Sequence, residues 1–325
     1  MTDDEFWDEP GDGSVYGLGE NIGKMKGRYH YPDPPGYVRE KGEAAGFMRM
    51  TNLAAAFSDQ IRLQKWRERM ILLGIRTEEG EVLYDELMAE DLDHMDPMVA
   101  RKFLESMADR MANAAGAGQG ARRGTARHTM LQAMQETGVL TGTRTMKLQY
   151  HSLMNALERH HLEPIPGWSE RRVCNTTYGV MGTLDLGVRC TLTGATGILD
   201  LKTQRGFWTY QEIAGQQYGY DSAQWVWVGA HDPSGQWEPA PKWDAVGLPG
   251  TEFAGRRVAY LAHMPQAPGD HQFPVEIHEV CLDYGHEVMM VARENVRLRS
   301  IGKSVKPGRR IGALRATPTP VRSHA

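Results

Sequence analysis

The sequence predicts a mixed α/β protein: a central sheet with parallel and antiparallel strands, flanked by helices and preceded by a helical region. Three observations carry this. Apolar residues recur at helical spacing over Thr51 to Gly74 and again over Thr145 to His160. The stretch Val180 to Tyr220 contains two short apolar runs separated by the Gly-containing turn Thr191 to Gly197, then a helical pattern. Beyond it come further strand-like runs and a closing helical pattern, with no fixed-period repeat.

Taken in order, residues 1–45 are rich in Gly, Pro, Asp and Tyr without an apolar period, and predict an irregular segment draped on the domain. Thr51 to Gly74 predicts one helix, with Leu53, Phe57, Ile61, Trp66 and Met70 on its apolar face, Thr51 as N-cap and Gly74 as stop. Val82 to Asn113 predicts helix broken near Asp96-Pro97. Ala114 to Gly120 predicts a loop, and Gly124-Thr125 opens a helix that places His128 in its first turn and Leu131 and Met134 on its apolar stripe. Thr145 to His160 predicts an amphipathic helix ended by Pro164 to Gly167. Strands follow at Glu170 to Thr177, Val180 to Cys190 and Gly197 to Thr203, then a helix from about Thr209 to Asp221. Gln224 to Ala230 predicts a buried strand, and His231 to Gly255 an irregular stretch. Arg256 to His263 and Val275 to Leu282 predict strands. Tyr284 to about Ser300 predicts a helix with Val288, Val291 and Leu298 facing inward.

Composition excludes several classes. In 325 residues there is no uncharged apolar run long enough to span a bilayer, and the acidic start MTDDEFWDEPGDG is the reverse of a secretory signal. The expectation is a cytoplasmic protein without membrane attachment. Cys174, Cys190 and Cys281 are widely spaced, so a zinc ribbon has no support and an iron–sulfur cluster with four thiolates from one chain is excluded. The net charge of −4 does not advertise nucleic-acid binding, yet from Asn295 onward there is no acid and eight Lys or Arg. Such a tail either follows a phosphate backbone or is simply solvated.

The chemistry concentrates in the hairpin. Asp200 and Lys202 are i and i+2 on a strand and share a face, while Leu199 and Leu201 turn to a core. Antiparallel pairing across the turn brings Asp185 beside Asp200. Two carboxylates and an ammonium on one face suit a hard cation with a charged helper. A lone helical histidine such as His128 is far more often a packed or exposed residue than a ligand, and Lys202 reads also as a surface partner for Asp200. Glu170, at the start of its strand, either assists a second ion or lies exposed. Gln216 and Tyr220, at i and i+4 on one helix face, either shape the site by touching the substrate backbone or the Lys202 region, or pack on the sheet. Arg122, Arg123, Arg127 and Arg205 flank these motifs and either hold phosphates or are plain surface.

In their order, Gly182-Thr183-Leu184-Asp185, Asp200-Leu201-Lys202-Thr203 and Gln216 with Tyr220 resemble the motifs of PD-(D/E)XK nucleases. The RecB-like exonuclease branch, which includes phage and CRISPR-associated exonucleases, is the nearest likeness. The upstream GTARH, Gly124 to His128, is similar to that branch's GT-x-x-H element. The resemblance implies a restriction-endonuclease-like αβββαβ core. Within a single nuclease domain at 46–300, it implies a helical part at 46–165 and a catalytic core at 166–300, with 301–325 a basic tail. It implies Mg²⁺ or Mn²⁺ held by His128, Asp185, Asp200 and the carbonyl of Leu201, catalysis by Asp185, Asp200 and Lys202, and substrate contacts from Gln216, Tyr220, Arg122 and Arg205. The four cluster cysteines of many relatives are absent, as is a helicase P-loop. The expected activity is a metal-dependent DNA exonuclease of bacterial or phage recombination and repair. Its expected partners are DNA and a recombinase, single-strand annealing protein or separate helicase. A structure-specific endonuclease or a non-catalytic DNA-end-binding protein on the same scaffold are the alternatives.

Overall fold

Two short strands, β1 (Arg28–Tyr29) and β2 (Phe47–Arg49), come first in the described chain, and β2 runs straight into helix α1 (Met50–Ala55). The computed structural model describes residues 28–39, 46–57, 61–203, 210–229, 235–248, 250–265 and 273–304. At 61–63, 119–124, 127, 135–136 and 300–304 it describes the backbone alone. The helix predicted over Thr51 to Gly74 is two helices, α1 and α2 (Ile61–Gly74). Their apolar faces serve different cores. Met50, Leu53 and Ala54 of α1 are buried against the sheet, while Ile71 of α2 packs in a separate cluster with Leu83, Met107 and Met111, and Trp66 is exposed. Arg49 rather than Thr51 occupies the N-cap of α1.

Helix α3 (Glu78–Ala89) is capped by the Thr77 hydroxyl, which accepts from the Gly80 N–H at 2.9 Å, and three glutamates sit in its first turn, where the helix dipole favours them. The break expected near Asp96-Pro97 is the start of α4 (Pro97–Ala114), with Asp96 capping and proline in the first turn. Helix α5 (Gln119–Thr137) begins before the predicted Gly124-Thr125, so His128 lies inside the helix and not in its first turn, and part of the expected loop is helical. It stops at Gly138, where φ is 70°. Thr143 caps α6 (Arg144–Arg159).

The strand expected from Glu170 is much longer: β3 is Leu162–Asn175. Pro164 to Gly167, read as a break, lies within it as an irregularity, because the pairing jumps from Pro164↔Val188 to Ser169↔Leu186. Then come β4 (Val180–Cys190), β5 (Thr196–Lys202), helix α7 (Tyr210–Asp221) and β6 (Trp225–Val228). The stretch expected to be irregular holds β7 (Gln236–Pro239), which pairs with β6 and buries Trp237. Strands β8 (Val258–His263) and β9 (Glu276–Cys281) lead into α8 (Leu282–Ser304). Val288 of α8 is buried as expected, but Val291 and Leu298 are exposed; Met289 and Ala292 form the inward face instead.

The described strands form one mixed sheet in the order β7-β6-β3-β4-β5-β8-β9, with β2 joined to the first part of β4 and β1 to β2. The β5–β8 and β2–β4 pairs are parallel, and the others antiparallel. Helices cover both faces. On one side α1, α7 and α8 pack on Val173, Val180, Leu184, Ile198, Leu261 and Val280. On the other, α5 and α6 pack on Leu186, Val188, Leu199, Leu201, Tyr260 and Ala262. Strand β5 thus divides its side chains as a pleated strand must, Ile198 to one core and Leu199 and Leu201 to the other. Helix α7 is buried on nearly every side, and Gly285 lets α8 approach it closely: a Cβ there would strike the Ala214 carbonyl and lie 2.8 Å from Tyr218 Cβ. Tyr31 joins the aromatic cluster around Trp227 and Trp237 at the far end of the sheet. Among the described residues no helix is long and apolar enough to cross a membrane.

The C-terminal end of α7 carries a buried carboxyl. Asp221 pairs with Arg257, but burial outweighs the guanidinium and pushes Asp221 up to about 6 from 3.8. The folded state therefore holds the proton more tightly than the unfolded chain, and stability falls as pH rises from about 4 through about 6. Asp221→Asn, close to the protonated form in shape, should remove this dependence. Denaturant unfolding of wild type and variant should converge near pH 4 and differ by about 2 kcal/mol in the variant's favour above pH 6.

Candidate metal and catalytic site

Three adjacent strands bring the acids together. The pairs Ser169↔Leu186 and Arg171↔Leu184 place Glu170 across from Asp185, and the β4–β5 ladder, ending at Leu186↔Leu199, places Asp185 and Asp200 one step beyond. Strand β4 rolls over at this point: Leu184 belongs to the α7 side and Leu186 to the α5 side. Glu170 has a left-handed backbone, φ 52°, inside a strand. For a residue with a Cβ this costs on the order of 1–3 kcal/mol, and such strain concentrates where a side chain must be aimed.

The aim is toward His128. Its Nδ1 lies 2.8 Å from Glu170 Oε1 and 3.5 Å from Asp185 Oδ1. Asp185 Oδ2 accepts the backbone N–H of Leu201 at 2.7 Å. Asp200 turns to the other side: its Oδ2 is 2.7 Å from Lys202 Nζ, and its Oδ1 accepts from Gln216 Nε2 at 3.0 Å. The same Gln216 Nε2 is 3.2 Å from the Tyr220 hydroxyl. Asp185, Asp200, Gln216 and Tyr220 are all buried, while His128, Glu170 and Lys202 are partly open to solvent.

The electrostatics are those of crowded acid. Burial is the largest influence on Asp185; with Asp200 and Glu170 it outweighs His128 and Lys202 and pushes the carboxyl up to about 7. The charge of Asp185 is likewise the main reason that His128 is pushed up to about 9, against burial and with help from Glu170. Burial alone would depress Lys202, but Asp200 and Asp185 hold it above its usual value. Tyr220 is pushed well above its usual value, by burial first and then by the two aspartates.

His128, Glu170 and Asp185 each offer a ligand atom, all within 4.8 Å of one another. One imidazole and two carboxylates suit Mn²⁺ and, less well, Mg²⁺. With three such donors within 4.8 Å of one another, the residues fit the ion that the resemblance implies. The grouping differs in emphasis from the expected set. Glu170, expected as an auxiliary, is at the centre of it and is not an exposed strand end, while Asp200 is engaged by Lys202 and Gln216. Leu201 is engaged through its N–H. Gln216 donates to Asp200, the partner of Lys202, and contacts Tyr220, which lies in the core cluster on the α7 side. The side chain of Arg122 and all of Arg205 lie outside the described residues, as do the side chains of Arg123 and Arg127.

One feature of the site gave no signal beyond its place in the motif. A Cβ on Gly182 would lie 2.8 Å from the Tyr220 hydroxyl and 3.0 Å from Cζ, inside the ring's space. Gly182 thus makes room for Tyr220, which contacts Gln216, which holds Asp200. The chain matches no protein-family model and no curated protein.

Gly182→Ala should therefore displace the Tyr220 ring and destabilise the fold by about 1–3 kcal/mol in denaturant unfolding. Tyr220→Phe, which removes the hydroxyl and leaves the ring, should cost less. Equal stability of Gly182→Ala and wild type would show that this contact does not govern the site.

Proposed function

We propose that the chain is a metal-dependent nuclease that hydrolyses DNA phosphodiester bonds, most simply an exonuclease of the RecB-like kind. The observation that carries the reading is the convergence of Asp185, Asp200 and Lys202 from β4 and β5 with His128 and Glu170 brought in from α5 and β3. A coincidental DxK on a strand would have no reason to gather the other motifs around it.

His128, Glu170 and Asp185 would hold a divalent cation, which when bound would lower the pKa of a water and offset charge on the phosphoryl oxygens. The rest falls to the protein. Lys202 is held charged by two aspartates and faces partly to solvent, so it can donate to the scissile phosphate or to the attacking water as charge develops. Gln216 fixes the rotamer of Asp200, and the Leu201 N–H fixes that of Asp185, so neither carboxylate must reorganise when the phosphate arrives. The overall reaction adds water across a P–O bond, leaving one terminal phosphate and one hydroxyl. The basic tail and flanking arginines would track the backbone.

End-labelled single- and double-stranded DNA incubated with Mn²⁺, Mg²⁺ or chelator should be degraded only with metal. Asp200→Asn and Lys202→Ala should each lower the rate by about 10²-fold or more with unchanged circular dichroism. Near-normal turnover in either would overturn the site. Glu170→Gln should raise the Mn²⁺ concentration needed by about tenfold. Rapid cutting of a sealed circle would replace the exonuclease reading with an endonuclease one.

A further inference from the structure

A second group of metal-type donors lies two strands away from Asp185, on the other side of β5. Lys202 is paired in register with His263 on β8, and His263 with Glu276 on β9. Residues paired across neighbouring strands share a face, and His278 follows Glu276 at i+2, so His263, Glu276 and His278 project on the same side. Both rings converge on one carboxylate oxygen: Glu276 Oε2 lies 3.2 Å from His278 Nε2 and 3.7 Å from His263 Nδ1. Each of the three offers a ligand atom within 4.8 Å of the others.

We infer that His263, Glu276 and His278 form a second cation site, of two imidazoles and one carboxylate, that takes a borderline-soft divalent ion of the Zn²⁺ class. The donor chemistry selects the ion. One imidazole with two carboxylates, as at His128, suits Mn²⁺, whereas two imidazoles with one carboxylate form a ligand set characteristic of zinc with a fourth position open. The spacing agrees: ligands at zinc-to-nitrogen distances around a tetrahedron sit about 3.4 Å apart, against the 3.2 and 3.7 Å of the two carboxylate contacts. The ring centroids are 6.4 Å apart and would draw together as the ion binds.

Access and anchoring are divided among the three. His263 is buried and fixed on β8, while Glu276 and His278 lie on β9, the outer strand of the sheet, and reach solvent. A fourth imidazole stands within electrostatic reach: His160, at the end of α6, is held below its usual value by burial first, and then by Arg159, His161 and His278. An ion here ties the edge strand to β8 and adds positive charge one strand from Lys202. The inference stands apart from the nuclease reading, since it uses none of the residues assigned to that site.

The test is a Zn²⁺ titration of the full chain against a chromogenic chelator, in wild type, His278→Ala, Glu276→Gln and Glu170→Gln. The expected result is a Zn²⁺ equivalent that persists in Glu170→Gln, weakens by about a hundredfold or more in His278→Ala and weakens measurably in Glu276→Gln. Mn²⁺-dependent cleavage by His278→Ala should stay at the wild-type level. Equal Zn²⁺ affinity in wild type and His278→Ala, or loss of the ion in Glu170→Gln alone, would overturn the site. Co²⁺ absorption by the wild-type protein gives a reading that needs no variant: tetrahedral bands support the site, and their absence overturns it.

Discussion

The hydrogen bond from the Leu201 N–H to Asp185 Oδ2 is the joint on which the site depends. Strands β4 and β5 pair regularly from Arg189↔Thr196 to Leu186↔Leu199, and there the backbone ladder gives way. A side-chain carboxylate takes over the amide of Leu201, two residues beyond the last pair. That exchange satisfies a buried donor that would otherwise be costly, and it pins Asp185 next to Asp200. It also explains the rolling of β4 at this point, with Leu184 and Leu186 in opposite cores. The strands part where the charged groups need room.

Close packing of like charge is then the problem the surroundings must solve. Three carboxylates, one imidazole and one ammonium share the site, and Asp185, the most buried acid of the His128 group, is raised by burial first and by Asp200 and Glu170 after it. The protein answers with fixed partners: Lys202 and Gln216 for Asp200, His128 for Glu170, a main-chain amide for Asp185. Breaking one such buried partnership leaves the other charge uncompensated. On the proposed reading a divalent cation would be the further partner, because it would bind the carboxyls in their deprotonated form.

Much of this was legible in the sequence because it follows from period and spacing. The alternation over Gly197 to Lys202 placed Asp200 and Lys202 on one face and Leu199 and Leu201 on the other, and the structure has them so. Element order and the mixed sheet followed from the same patterns. What was not legible depends on tertiary choice. Val291 and Leu298 fit an apolar stripe, but α8 meets α7 through Gly285 and turns Met289 and Ala292 inward. Strand β3 continues through Pro164 and Gly167 because its irregular register absorbs them, which no turn signal reveals. Thr51 to Gly74 carried one continuous apolar period, yet its halves face different cores. The pairing of Glu276 with His263 requires knowing that β8 and β9 are neighbours, although Glu276-x-His278 on a strand was itself a visible donor pair.

The motif residues are coupled by contact rather than by a common task. Gly182 has no chemistry of its own; its missing side chain is filled by the Tyr220 ring. Tyr220 reaches Gln216, and Gln216 donates to Asp200. A residue in the first motif therefore acts on the second through the third, and each is constrained by its neighbour's volume as much as by charge. Glu170 extends the logic to the backbone. A left-handed glutamate in a strand persists only if its surroundings over-determine it. The charged hydrogen bond to His128, itself held by the burial of Leu131 and Met130 on α5, provides that determination. Helix α5 is thus packed by its apolar face and positioned by its histidine, and the strain at Glu170 is the local cost of bringing a helix and three strands to one point.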